Sequence, residues 1–120
     1  MTPTQLGILA LFFVAMVAIG VRRSRQSAGA KDMIAAGAVV IDVRSAAEVQ
    51  SGHLPGALLM PHDTIAARLS DIEKAAGGKD RPIVVYCASG MRSAKAQSVL
   101  AAAGFTKVVN GGGYAALMPR

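Results

Sequence analysis

The single cysteine of this chain, Cys87, closes an apolar run and opens a loop of small residues. Arg81-Pro82-Ile83-Val84-Val85-Tyr86-Cys87 reads as a short buried strand with a thiol at its end. Ala88-Ser89-Gly90-Met91-Arg92-Ser93 follows, and a helical pattern then runs through Leu100 and Ala103. Loop amides and the positive end of a helix dipole both favour thiolate over thiol. Arg92 adds a fixed positive charge beyond the cysteine. These residue types in this order point to nucleophilic sulfur chemistry on an anionic substrate. A lone cysteine in an apolar-rich protein is more often an inert core residue. A core cysteine, however, needs neither a glycine-containing loop nor an arginine behind it.

The elements that must position this thiol sit between two different kinds of sequence. Leu6 to Val21 carries no charged residue, and with Thr4 and Gln5 it approaches the lower end of the ~17–25 residues that cross a bilayer core. A helix there would satisfy its own backbone. Arg22, Arg23 and Arg25 follow at once, and no Lys or Arg precedes the run. Residues 1–22 are therefore expected to be a transmembrane anchor in contact with lipid through residues 4–21. The positive-inside rule puts the amino terminus outside the plasma (inner) membrane and the rest in the cytoplasm. A cleaved signal peptide would carry its basic residues before the apolar run, not after it. Gly7 and Gly20 are too far apart for a small-xxx-small dimer motif.

Residues 23–30 read as a basic, small-residue linker, and residues 31–120 as one small domain. Of the formal net charge of +6, Arg22, Arg23 and Arg25 supply half, and ten basic against seven acidic residues from Lys31 onward supply the rest. With five aromatics, no Trp and no basic repeat, nothing suggests a nucleic-acid surface. One cysteine and two well-separated histidines do not make a metal site, and no cofactor is indicated. A thiol with no partner for an internal disulfide fits a reducing compartment. Oligomeric state is not legible.

Lys31 to Ala36 is expected as a brief helix, and Ala38-Val39-Val40-Ile41 as a buried strand ending at Asp42-Val43-Arg44. Ser45 and Glu48 form a capping-box pattern. Gly52-His53-Leu54-Pro55-Gly56 is a turn, and Ala57 to Met60 a strand stopped by Pro61. Asp63 to Lys74 has helical spacing and ends at Gly77-Gly78. Gly104 stops the helix after the cysteine loop. Phe105 to Val109 is the last strand, closed by Gly111-Gly112-Gly113 as a tight turn. Strand and helix alternate, which predicts an α/β fold with a central parallel sheet flanked by helices.

The chain resembles the rhodanese-like single-domain sulfurtransferases over about Lys31 to Tyr114. Four blocks carry the resemblance: Ile41-Asp42-Val43-Arg44, Gly52-His53-Leu54-Pro55-Gly56-Ala57, Val85 through Ser93, and Val108 to Gly113. Their order and spacing are specific together, though each alone is weak. The family implies a loop curled around the active sulfur and catalysis through a cysteine persulfide. A donor such as thiosulfate loads a sulfane sulfur, and cyanide or a thiol, free or on a protein, removes it.

On that reading Cys87 is nucleophile and sulfur carrier. Ala88, Ser89, Gly90, Met91, Arg92 and Ser93 form the substrate-binding loop. Arg92 either pairs with the donor or braces the loop, and Ser93 either caps the next helix or donates into the loop. Asp42 and Arg44 are an ion pair or loop brace, with direct substrate contact as the alternative. His53 is a hydrogen-bonding turn residue or a site residue. Glu48 is read as a helix-cap residue. Two other classes remain: a membrane-tethered relay or binding module without free turnover, and a phosphatase, since Cys87 and Arg92 also fit a cysteine–four residues–arginine pattern. The chain departs from the family in having Tyr114 where a Trp is common and little sequence for a final helix.

Overall fold

The computed structural model describes residues 27–118. Four strands, β1 (Val39–Asp42), β2 (Leu58–Leu59), β3 (Ile83–Cys87) and β4 (Val108–Gly113), form one parallel sheet in the order β2-β1-β3-β4. Helices α1 (residues 27–35), α2 (Ala46–Val49), α3 (Leu69–Ala76), α4 (Met91–Ala102) and α5 (Tyr114–Leu117) connect and flank them. The chain leaves β1 toward one edge, to β2, and returns to build β3 and β4 on the other side. The strand order therefore reverses between β1 and β3. In open α/β sheets a crevice forms at the carboxyl ends of such a strand pair. Asp42 ends β1 and Cys87 ends β3 at that place.

β3 is buried at all five positions, so its run of apolar residues is that of a strand covered on both faces. Alternation then divides its side chains. Ile83, Val85 and Cys87 join Ile41, Val43, Ile65, Ile72, Ala96 and Leu100 in one core cluster. Val84 and Tyr86 point the other way, into a cluster with Ala30, Val40, Leu54 and Leu117. Each such Val or Ile side chain stabilises the fold by roughly 1.5–3 kcal/mol relative to an exposed one. In α4 the buried residues Ser93, Ala96 and Leu100 recur at helical spacing, so the helix presents one face to the thiol side of the sheet.

Several expected boundaries move. Residues 27–30, read as linker, are helical, and Ala30 is fully buried against the sheet. The strand at Ala57 to Met60 contracts to Leu58–Leu59. The helix expected from Asp63 splits into a 3-10 turn, His62–Ala67, and α3. Pro61 supplies the carbonyl for both the Thr64 amide (2.8 Å) and hydroxyl (2.7 Å), which tightens the first turn; Arg68 then interrupts the helical backbone. The last strand starts later and includes Gly111-Gly112-Gly113, which are strand residues and not a tight turn. The apolar segment at 4–21 and its basic flank lie outside the described residues. Among the described residues no helix is long and apolar enough to cross a membrane.

The far end of β1 is held by a buried ion pair. Arg44 sends Nε and Nη2 to both Asp42 oxygens (2.8–3.1 Å), its own amide to Oδ1 (2.9 Å), and Nη2 onward to the Gly52 carbonyl (2.7 Å). Its guanidinium lies 4.2 Å from the centroid of Tyr114, whose ring stacks on Tyr86 at 6.0 Å. The Tyr86 hydroxyl accepts the Leu54 amide at 3.0 Å. Burial pushes the Asp42 carboxyl up, but hydrogen bonds from Arg44 and Tyr86 outweigh it and hold the group below its ordinary value. Asp42→Asn leaves Arg44 buried without its counter-charge. The expected loss is ~3–5 kcal/mol of folding stability, read by denaturant titration. An unchanged midpoint would contradict this role.

Candidate active site

Cys87 stands at the last position of β3, and the chain turns from it through Ala88–Gly90 directly into α4. The turn depends on Gly90, which has φ +94° and occupies the residue before the helix, a backbone region that side chains oppose. It points the Gly90 amide back at the sulfur, 2.9 Å from Sγ. The Ser93 hydroxyl, buried in the first turn of α4, lies 3.4 Å from Sγ. Ser93 thus donates into the loop and does not cap the helix. Burial pushes the Cys87 thiol up, and hydrogen bonding by the Ser93 side chain and by the Ser93, Ser89 and Gly90 amides more than reverses this, to about 7. Near neutral pH a large share of the sulfur is therefore thiolate.

Asn110 is the residue that the sequence reading missed. It is buried in β4, and its Nδ2 donates to the Gly90 carbonyl at 2.9 Å. Its Oδ1 accepts the Ser93 hydroxyl at 2.8 Å and the Gly112 amide at 2.9 Å. One hydroxyl proton serves two acceptors. Ser93 turns it toward Sγ when the sulfur is anionic, and Asn110 Oδ1 then still keeps the Gly112 amide. The three glycines of β4 let this strand lie against the loop. A Cβ on Gly113 would stand 2.6 Å from the Ala88 carbonyl oxygen, and one on Gly111 would stand 3.0 Å from both Leu117 and Val84.

Arg92, one of the two alternatives for an anion contact, is already engaged. Its Nη1 and Nη2 bond the two Glu48 oxygens at 2.6 and 2.9 Å. Glu48 does complete the capping box: Ser45 Oγ accepts its amide at 3.2 Å and the Ser45 amide bonds its Oε1 at 3.2 Å. The hydrogen bond from Arg92, then those from Ser45, hold the Glu48 carboxyl down at about 2. Sequence reasoning found the cap and not the pair, because 44 residues separate the partners.

The remaining candidates divide. Asp42 and Arg44 form the buried ion pair and face the opposite side of the sheet from Cys87. His53 is exposed and its Nδ1 pairs with the adjacent Leu54 carbonyl at 2.9 Å, as a turn residue does. Met91 opens α4 and is 73% exposed beside the loop. A cleft of about 540 Å³ borders the loop, lined by Ser27, Ser89, Gly90, Met91, Asn110 and Ala115 among others. A larger cavity of about 700 Å³ opens at the amino ends of the strands, around Ala38, Pro82 and Val108, remote from the thiol. Cys87 itself has no exposed surface, so a reactant meets the sulfur only where the loop atoms yield to it.

A thiol at the switch point of a parallel sheet, wrapped by its own loop amides, defines a class, and the comparisons agree on which. The rhodanese-like domain model matches residues 27–117, and the chain belongs to that family. A sulfurtransferase of Allochromatium vinosum is 39% identical over 72 residues, 60% of this chain and 63% of that protein. A tRNA uridine(34) hydroxylase of Cronobacter sakazakii is 42% identical over 72 residues, 59% of this chain but 21% of that protein. The chain thus spans less than two thirds of these curated relatives. Among solved structures, a rhodanese with anions from E. coli is 33% identical with a TM-score of 0.62, covering 69% of this chain and 95% of that one. A human single-domain sulfurtransferase is 25% identical with a TM-score of 0.62, covering 73% and 88%.

The thiolate set makes a direct prediction. Alkylation rate against pH should rise with an inflection near 7, below the roughly 8.5 of a free thiol. Ser93→Ala removes the hydroxyl donor and should move the inflection up toward the free-thiol value. The sign for stability follows: the depressed group stabilises the fold above its unfolded value, and that contribution is lost as pH falls through about 7. An inflection at the free-thiol value in the unaltered protein would refute the donor assignment.

Proposed function

We propose that this chain is a sulfurtransferase that carries a sulfane sulfur as a persulfide on Cys87. The observation that supports it most is the sulfur held by the Gly90 amide at 2.9 Å beside the Ser93 hydroxyl, at the carboxyl end of β3. The Cys87 thiolate attacks the outer sulfur of a donor. The bond between that sulfur and the rest of the donor breaks, and the bond's electron pair leaves with the departing group. The amides of Ser89, Gly90 and Ser93 then hold the persulfide anion as they held the thiolate. A thiol or cyanide takes the outer sulfur and returns the Cys87 thiolate. No general base is needed, because the nucleophile is already ionised. Phosphoester hydrolysis would ask Arg92 to grip a tetrahedral anion, and Glu48 occupies both of its outer nitrogens.

Intact mass tests the reading. After excess sulfane-sulfur donor, the full chain should gain one sulfur atom that cyanide removes. Cys87→Ser should gain none, since oxygen forms no persulfide. Sulfur added to the serine variant, or turnover by it, would end this mechanism. Loading without catalytic turnover would instead select the relay module.

The reading includes a membrane anchor at residues 4–21, with the domain on the cytoplasmic side. It rests on the uncharged run from Leu6 to Val21 and the arginines behind it. Protease added outside intact spheroplasts should leave residues 22–26 uncut. Cleavage there would place the domain outside the membrane.

A further inference from the structure

The side-chain amide of Asn110 fits its surroundings in one orientation only. Its Nδ2 faces the Gly90 carbonyl at 2.9 Å, and its Oδ1 faces the Gly112 amide at 2.9 Å. Exchanging the two atoms would set donor against donor at Gly112 and acceptor against acceptor at Gly90. The Asn110 atom 2.8 Å from Ser93 Oγ is therefore an oxygen, which only accepts. Ser93 Oγ also lies 3.4 Å from Cys87 Sγ, and both residues are fully buried. A hydroxyl carries one proton. Ser93 gives it either to Asn110 or to the sulfur. When the sulfur takes it, two oxygens 2.8 Å apart are left with no proton between them.

The two directions suit different states of the sulfur. A thiol donates to Ser93 Oγ while Ser93 donates to Asn110. A thiolate has no proton and draws the Ser93 hydroxyl to itself. In a persulfide, Cys87–S–S⁻, the charge lies on the outer sulfur, Sγ is a weak acceptor, and the hydroxyl returns to Asn110. We infer that Asn110 is a positioning residue for sulfur transfer, keeping the Ser93 proton off Sγ until Sγ itself carries charge. This rests on the sulfurtransferase reading above. In the discharge step the carbon of cyanide attacks the outer sulfur. The S–S bond breaks, its electron pair goes to Sγ, and thiocyanate leaves with the outer sulfur and one negative charge. Two negative charges enter the step, two remain, and no proton is transferred. Ser93 swings from Asn110 to the new thiolate. By competing for that proton, Asn110 makes Cys87 a better nucleophile and a poorer leaving group. Arg92 of α4, held by Glu48 of α2, also acts on the sulfur through its charge. β4 carries no charged residue, and Asp42 and Arg44 of β1 lie across the sheet. On the 3-10 turn and α3, His62, Asp63, Asp71, Glu73 and Lys74 are exposed, as is Lys95 on α4, and Arg68 reaches Asp71. These groups are the same in every variant compared, so their effects cancel.

Alkylation of Cys87 against pH, in the full chain, reads the competition without any sulfur transfer. Asn110→Leu removes the competing oxygen and should lower the inflection by about one pH unit, roughly the worth of one hydrogen bond to a charge. A residue that only braced the loop would have the opposite sign, since its loss loosens the Gly90 amide and raises the inflection. A rise or no change in Asn110→Leu therefore overturns the inference. In a Ser93→Ala protein the same substitution should produce almost none of this fall, and a fall of equal size there overturns the route through Ser93. Should Asn110→Leu fail to fold, Asn110→Asp offers Ser93 a stronger acceptor. Its rise should be larger with Ser93 present than in Ser93→Ala, and equal rises overturn the inference. Sulfur transfer supplies the second readout, at a pH of about 9 where the thiol is ionised. Intact mass should show Asn110→Leu loading from thiosulfate about threefold more slowly and discharging to cyanide about threefold faster than the unaltered protein. Both steps moving in the same direction would contradict it. If the unaltered protein takes up no sulfur, the sulfurtransferase reading falls and the role in transfer with it, while the alkylation profiles still decide whether Asn110 competes for the Ser93 proton.

Discussion

The Cys87 sulfur sits in this fold with no exposed surface, and N–H and O–H donors of the loop and of α4 converge on it. Most of the local architecture answers to that constraint. Donors converge on one atom only if the backbone curls tightly, and the curl needs a glycine at Gly90. A curled loop has carbonyls that point outward and need partners, and Asn110 supplies the one for Gly90. Asn110 reaches it only because β4 approaches closely, and that approach leaves no room for a Cβ at Gly113. Remove one member and the others lose their reason.

The two faces of β3 divide the work. One face sends Cys87 toward α4, where Ser93 and the first helical amides act on the sulfur. The other sends Tyr86 toward Tyr114 and Arg44, where the buried ion pair binds β1, the turn at Gly52 and the last helix together. Tyr114 serves here as the ring over that guanidinium. Chemistry and bracing thus alternate along five residues, and period-two geometry keeps them apart.

What could be read from the sequence was local or periodic. The thiol at a strand end, the capping box at Ser45 and Glu48, and the Asp42–Arg44 pair each join residues within a few positions. Alternating strands and helices carried the parallel sheet for the same reason. The Glu48–Arg92 pair and the Asn110 hub join distant segments, and no spacing rule reaches across a crossover. The glycine run at Gly111 to Gly113 misled because glycine usually marks a turn. Here it marks a strand pressed against another backbone, and only the neighbour Ala88 reveals it. The helix beginning by Ser27 was hidden by small residues that resemble a linker; packing of Ala30 against the sheet fixes it in place.

Ser27 also fixes where the chain enters the domain. Its hydroxyl bonds the Gly111 carbonyl at 3.1 Å, and it lines the cleft beside the Cys87 loop. Ser27 is thus held at the rim of the Cys87 loop and not at the opposite end of the sheet. A tether attached ahead of Ser27 would hold the cleft side of the domain, and with it the Cys87 loop, toward its anchor. An acceptor tethered in the same plane would be met by lateral diffusion and rotation, at an effective concentration set by tether length and not by the bulk.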